Sequence, residues 1–165
     1  ESRLLSGELD AALLDSAGRS SEVQLRPFLR EKLVVAAAPF HPLAQCTAPV
    51  TARQLADCDF ILREEGSMPR RHLAAFLAQY GLSPRIKWSC TNLHTVVQAV
   101  QAGMGISVLS PVLMREELAA GTLREIPVED FAEVREISAA VRRGRSDYAP
   151  LERFLDFCQE QSAQL

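Results

Sequence analysis

The chain has 165 residues, of which 47% are hydrophobic and 24% are charged, and its net charge is -3. This composition suffices to bury a core and excludes a disordered chain. An acidic balance without a long Lys/Arg block disfavours direct binding of nucleic acid, and no apolar run reaches the roughly 18 residues that a membrane-spanning helix needs.

Strand-like and helix-like segments alternate along the chain. In order, they are a helix tail at 1–6, strands at 9–14, 23–25 and 33–38, a short helix at 51–55, a strand at 60–62, a helix from 67 to 80, a strand at 85–88, a helix at 92–103, a strand at 106–109, a helix at 110–119, strands at 123–126 and 137–141, and a final helix around 151–158. Such alternation predicts an α/β fold with largely parallel sheets.

The four cysteines, Cys46, Cys58, Cys90 and Cys158, are spread along the chain. No two have the C-x-x-C spacing of a zinc site, and so apolar a domain does not need a disulfide framework. We therefore predict reduced thiols, no metal and no cofactor. No secretory signal is visible. The first residues already read as part of a helix, so the sequence is interpreted as a fragment of a longer protein.

The stretch from Arg63 to Arg71 reads as a strand end that runs into a helix start. Ser67 is a good N-cap because its hydroxyl can accept from a free backbone N–H, and Pro69 fits the first turn. A helix N-terminus carries partial positive charge, and Arg70 adds a full charge beside it. The stretch predicts a site for a carboxylate or oxyanion. Taken alone it is better explained as a capped helix with an exposed arginine, and the neighbouring motifs favour the site.

Three further stretches carry recognisable patterns. Residues 5–13 read L-S-G-E-L-D-A-A-L, residues 33–35 lead to H-P-L-A at 41–44, and residues 96–109 contain V-Q-A-G-M-G-I-S-V-L followed by Ser110. In this order they resemble the effector-binding domain of LysR-type bacterial transcriptional regulators, with its L-x-x-G-x-L-D-x-A-I and V-x-x-G-x-G-I-x-x-L-P patterns. Ser110 departs from the proline that often ends the last pattern.

The resemblance implies a two-lobed, periplasmic-binding-protein-like (type 2) α/β fold, with mostly parallel sheets flanked by helices. Lobe I would comprise residues 1–30 and 139–165, without its N-terminal part, and lobe II residues 31–138. The winged helix-turn-helix of the family lies outside this sequence, so DNA binding is expected of the parent protein only. The resemblance also implies a cytoplasmic homodimer, and a tetramer in the full-length protein.

Effectors of this family bind between the lobes, at strand C-termini and helix N-termini, as in other open α/β sheets. By position, the resemblance assigns to this site Arg63, Glu65, Gly66, Ser67, Met68, Arg70 and Asn92 from lobe II, with Asp15 and Ser16 from lobe I. Asn92 reads equally as a simple N-cap. Carboxylates beside cations suggest an effector with both a carboxylate and a donor group, such as an amino acid, a hydroxy acid or a small aromatic acid. The alternative is that the glutamates face solvent.

Two other classes of function compete with the regulator. A periplasmic solute-binding protein of the same fold would need export and a secretory signal. An enzyme is not predicted, since the sequence contains neither G-x-S-x-G nor H-E-x-x-H.

Overall fold

Helices and strands alternate along the described chain, which in this computed structural model comprises residues 1–15, 20–144 and 149–162. The helices are α1 (Ser2–Leu5), α2 (Ala52–Ala56), α3 (Met68–Ala78), α4 (Leu93–Gln101), α5 (Arg115–Ala119) and α6 (Ala149–Ser162). The strands are β1 (Ala11–Leu14), β2 (Val23–Lys32), β3 (Val34–Ala37), β4 (Asp59–Arg63), β5 (Arg85–Cys90), β6 (Ser107–Leu109), β7 (Arg124–Ile126) and β8 (Val134–Arg142). The predicted α/β class is confirmed.

The chain divides into two compact units. Unit 1 contains Glu1–Glu31 and Val134–Leu165, and unit 2 contains Lys32–Glu133. Compared with the lobes expected from the sequence, unit 2 begins one residue later and ends five residues earlier. The second difference arises because β8 already begins at Val134. That the two units act as separate lobes stays a prediction.

Unit 2 is built on a sheet in the order β5-β4-β6-β3-β7. Strands β4 and β5 pair in parallel, and β4 continues to β6 through a parallel bridge between Phe60 and Ile106. Strand β3 pairs antiparallel with both β6 and β7. Four of these five strands therefore run in one direction, as predicted, and β3 alone runs against them.

Unit 1 contains the sheet β1-β8-β2, in which Ala11 of β1 lies opposite Val141 in antiparallel pairing. The expectation of parallel pairing is wrong for these two strands. The chain between β1 and β8 passes through the whole of unit 2. Parallel neighbours are usually joined by a single crossover helix, and β1 and β8 are not joined in that way. Strand β2, predicted only at 23–25, runs on to Lys32. Pro27 fits within it because an edge strand can lack one N–H without losing a ladder bond.

Both faces of β4 are buried, as its apolar run requires. Phe60 and Leu62 face the cluster that contains α3, and Ile61 faces the cluster that contains α4. The residues that α3 contributes to these clusters are Leu73, Phe76 and Leu77, and those that α4 contributes are Val96, Val97, Ala99 and Val100. These residues form the inward faces of both helices, whereas Tyr80 lies beyond the end of α3 and is exposed.

Parallel pairing of β4 and β5 brings two strand ends to one edge of the sheet. Arg63 at the end of β4 lies opposite Cys90 at the end of β5. Helix α3 begins five residues after Arg63, and α4 begins at Leu93, three residues after Cys90. The carboxyl ends of the two strands and the segments leading into α3 and α4 thus belong to one edge of the unit 2 sheet.

Candidate functional site

Ser67 stands at the N-cap position of α3, directly after Gly66, whose φ of +86° turns the chain out of β4. The predicted capping bond is absent, since the Ser67 side chain makes no capping hydrogen bond. Its Oγ is buried and has no hydrogen-bond partner among the residues that the structure describes. A buried hydroxyl without a partner costs free energy, and an oxygen atom of a ligand at this helix end could satisfy it.

Arg70 ties together the ends of β4 and β5. Its Nη1 donates to the backbone oxygen of Arg63 at 3.4 Å and to Ser89 Oγ at 3.2 Å. Ser89 Oγ donates in turn to the same Arg63 oxygen, at 3.3 Å. Within the described chain, these hydrogen bonds of Arg70 use Nη1 alone. The edge formed by Nε and Nη2, which binds carboxylates bidentately, is left for another acceptor.

Ser89 is a site residue that sequence reasoning missed. The available signal was a hydroxyl at the last-but-one position of a strand, three residues before the helix cap at Asn92. Ser89 belongs to the site because β5 pairs with β4, which brings its hydroxyl to Arg70 and to the backbone oxygen of Arg63.

Arg63 and Glu64 neutralise each other. The pair is bidentate, with Nε to Oε2 at 2.7 Å and Nη2 to Oε1 at 2.8 Å. The hydrogen bonds from Arg63 hold the pKa of Glu64 below its usual value, and the same contact raises the pKa of Arg63. Glu64 therefore offers no free carboxylate to a donor group of a ligand, and Arg70 supplies the positive charge at this place.

The remaining predicted residues of this loop are less constrained. Glu65 is exposed, which agrees with the alternative that its carboxylate faces solvent. Met68 is the first residue of α3, and its Sδ accepts from Arg71 Nη2 at 2.6 Å.

Asn92 caps α4, since its Oδ1 accepts from the backbone N–H of Thr95 at 3.0 Å. The reading of Asn92 as an N-cap is therefore correct, and the cap leaves the two hydrogens of its side-chain amide as donors. Asp15 follows β1 in unit 1. Ser16 lies outside the described residues. A contribution of Asp15 and Ser16 to the site stays a prediction.

The two helix caps should respond differently to truncation. We expect Ser67→Ala to leave the free energy of unfolding unchanged or to raise it by about 1 kcal/mol, because it removes a buried hydroxyl that has no partner. Asn92→Ala should lower it by about 1 kcal/mol, because it removes a formed cap. Urea unfolding of both variants measures the difference. Equal losses would show that Ser67 is an ordinary cap.

Across residues 1–15, 20–144 and 149–162, no helix is long and apolar enough to cross a membrane, and no group of three or more His, Cys, Asp or Glu side chains could hold a metal ion. All four cysteines are free thiols. Burial raises the pKa of the Cys58 and Cys158 thiols, which disfavours the reactive thiolate at both positions.

An α/β chain with a buried, unpartnered hydroxyl and an arginine at the carboxyl ends of parallel strands is typical of a domain that binds small molecules. The chain belongs to the LysR substrate binding domain family, whose model matches residues 1–163. The predicted family membership is thus confirmed.

Curated relatives of the chain are transcriptional regulators. It is 34% identical over 155 residues to the HTH-type transcriptional regulator YeiE of Escherichia coli (strain K12), covering 94% of this chain and 52% of that protein. It is 34% identical over 160 residues to the RuBisCO operon transcriptional regulator of Allochromatium vinosum, covering 97% and 53%. The chain thus spans about half the length of these relatives. They favour the regulator over the periplasmic solute-binding protein.

Solved structures share the fold. The regulatory domain of CcmR from Synechocystis PCC6803, in complex with 2-PG, matches with a TM-score of 0.84 at 27% identity, covering 98% of this chain and 77% of that one. The effector-binding domain of QuiR, in complex with shikimate, matches with a TM-score of 0.80 at 20% identity, covering 99% and 76%. The type 2 periplasmic-binding-protein-like fold is therefore confirmed.

Proposed function

We propose that this domain binds a small, carboxylate-bearing effector at the start of α3. The observation that carries the proposal is the buried Ser67 hydroxyl without a partner, on the same helix turn as an arginine whose Nε–Nη2 edge is open. One carboxylate oxygen of the effector would accept a hydrogen bond from the Ser67 hydroxyl. Nε and Nη2 of Arg70 would donate to the carboxylate, as Nε and Nη2 of Arg63 donate to Glu64.

The charge balance supports an acidic effector. Arg63 neutralises Glu64. The next carboxylate in sequence, that of Glu65, is exposed to solvent. Arg70 and the positive end of α3 then act together on an anion. A donor group on the effector, as in an amino acid or a hydroxy acid, would need an acceptor such as Asp15. The complex of the CcmR domain with 2-PG supports a small-molecule effector and supplies a compound to test first.

In the longer protein, effector binding controls transcription through an N-terminal winged helix-turn-helix, in keeping with the HTH-type regulators among the relatives. This role requires the effector to bind one conformation of the domain more tightly than another. A ligand shifts a conformational equilibrium only through the difference between its affinities for the two states. The same proposal makes the protein a cytoplasmic regulator without catalytic activity.

The regulator acts as a homodimer, which associates to a tetramer at full length. Sedimentation equilibrium of this domain tests the dimer, and a monomer at all concentrations would contradict it.

Thermal unfolding against a panel of compounds tests the effector site. The panel contains 2-PG, shikimate, amino acids, aromatic acids and inorganic anions. A ligand at about a hundred times its Kd stabilises the folded state by roughly 2.7 kcal/mol, which raises the Tm by several degrees. We expect a shift with one class of carboxylate, and we expect Arg70→Ala to abolish it.

Arg71→Ala is the matched control, because Arg71 lies next to Arg70 but is exposed and contacts Met68 instead. It should retain the full shift. A shift that survives both Arg70→Ala and Ser67→Ala would place the effector elsewhere on the domain.

A further inference from the structure

One face of α3 and of the turn after it contacts residues 130–133. Its contact residues are spaced four apart, so they form a single stripe along the helix axis. Three pairs make the contact: His72 Nδ1 meets the carboxylate of Glu133, the Phe76 ring packs edge-to-face on Phe131 with centroids 5.0 Å apart, and Tyr80 Oη donates to Asp130 Oδ2 at 3.3 Å.

The contact between His72 and Glu133 lies at the end of this stripe nearer the candidate effector site. His72 follows Arg70 by two residues and Ser67 by five. Its side chain and that of Glu133 are only 21% and 24% exposed. An ionised carboxylate only accepts, so the contact requires a proton on His72 Nδ1. A partly buried hydrogen bond to a charged group is stronger than one at a fully exposed site.

Glu133 also occupies the place where the chain leaves unit 2. It is the last residue of that unit, and β8 begins with the next residue. Its backbone oxygen accepts from the N–H of Leu33, at 2.8 Å, so it joins the two segments that pass between the units. Glu133 thus contacts the segment that enters unit 2 with its backbone and α3 with its side chain.

We propose that His72 is a positioning residue that couples the start of α3 to the passage between the units, through Glu133. Helix α3 moves as a body, so an effector that draws its first turn toward the ends of β4 and β5 moves His72, and with it Glu133 and the start of β8. The coupling is a property of the effector-free protein, and its use in effector sensing rests on the function proposed above.

Hydrogen exchange of the effector-free 165-residue chain tests the coupling. Exchange of the Leu33 N–H, which donates to the backbone oxygen of Glu133, measures opening of the segments that pass between the units. Exchange of the Arg71 N–H, which donates to the backbone oxygen of Ser67, measures opening of the first turn of α3. The N–H of Ile61, bound to Ile106, serves as the reference for global unfolding. We expect His72→Ala and Glu133→Ala each to accelerate exchange at Leu33 and Arg71 about tenfold relative to Ile61.

Two further variants separate coupling from simple loss of packing. The double variant His72→Ala, Glu133→Ala should exchange no faster than either single variant, and the swapped pair His72→Glu, Glu133→His should restore slow exchange at both reporters. Tyr80→Phe removes a hydrogen bond at the far end of the stripe, and it should leave exchange at Arg71 unchanged.

Acceleration at Leu33 without acceleration at Arg71 would overturn the proposal, because the contact would then be local to the passage. Additive effects of the two single variants, or failure of the swap to restore protection, would overturn it as well. Since no effector is added, these outcomes are independent of whether the compound panel identifies an effector.

Discussion

Gly105→Ala is expected to lower the free energy of unfolding by about 3 kcal/mol. A Cβ at Gly105 would lie 2.5 Å from the backbone oxygen of Asp59 and 3.2 Å from Cγ1 of Ile61. The Asp59 oxygen cannot move away freely, because it accepts from the N–H of Ile106 at 2.9 Å in the bridge between β4 and β6. Any side chain here must therefore push apart the central strands of the unit 2 sheet.

Gly81→Ala is the matched control for this prediction. Gly81 has a φ of +69°, and a Cβ there meets nothing within 4 Å. Its replacement should cost only about 1 kcal/mol, the cost of placing a side chain on left-handed backbone. Urea unfolding of both variants compares a steric cost with a conformational one. Equal losses would mean that the sheet yields at Asp59 and that the close approach is not needed.

Arg135→Leu is expected to lower the free energy of unfolding by about 3 kcal/mol. Arg135 Nε donates to the carboxylate of Glu31, and the two side chains are only 14% and 6% exposed. The substitution would remove the guanidinium partner of a carboxylate that water scarcely reaches. The pair lies between β2 and β8, next to the residues where the chain enters and leaves unit 2.

The double variant Glu31→Leu, Arg135→Leu should recover most of this loss, because replacing a buried ion pair by apolar side chains is often close to neutral. Arg3→Ala removes an exposed pair with Glu8, whose side chains are 61% and 58% exposed, and it should cost less than about 1 kcal/mol. Chemical denaturation measures all three variants. A double variant as unstable as Arg135→Leu would show that packing, and not the loss of this ion pair, sets the cost.

Features that depend on neighbours in sequence were predicted well. The short helix predicted at 51–55 is α2, which Thr51 caps in a reciprocal capping box with Gln54, and Asn92 caps α4 as one reading of the sequence has it. Such features are set by hydrogen bonds and packing within one or two turns, so their signals lie within a few residues.

The candidate site was predicted less completely. The sequence placed Ser67 and Arg70 at the start of α3, which the structure confirms, but it predicted a capping bond where the Ser67 hydroxyl is buried without a partner. It did not predict that Glu64 pairs with Arg63, since charged neighbours in sequence can point in different directions. A role in effector binding for these residues stays a prediction.

The sequence by itself determined the α/β class, the family and the helix that begins at Met68, because periodicity, caps and glycine turns act locally. Only the tertiary structure decided which groups meet across the sheet and along α3. The contact of Arg70 with Ser89 requires β5 to lie beside β4, and the contact of His72 with Glu133 joins residues 61 positions apart. Contacts of this kind follow from strand pairing and helix packing, whose partners are set by the whole fold and leave no mark on the nearby sequence.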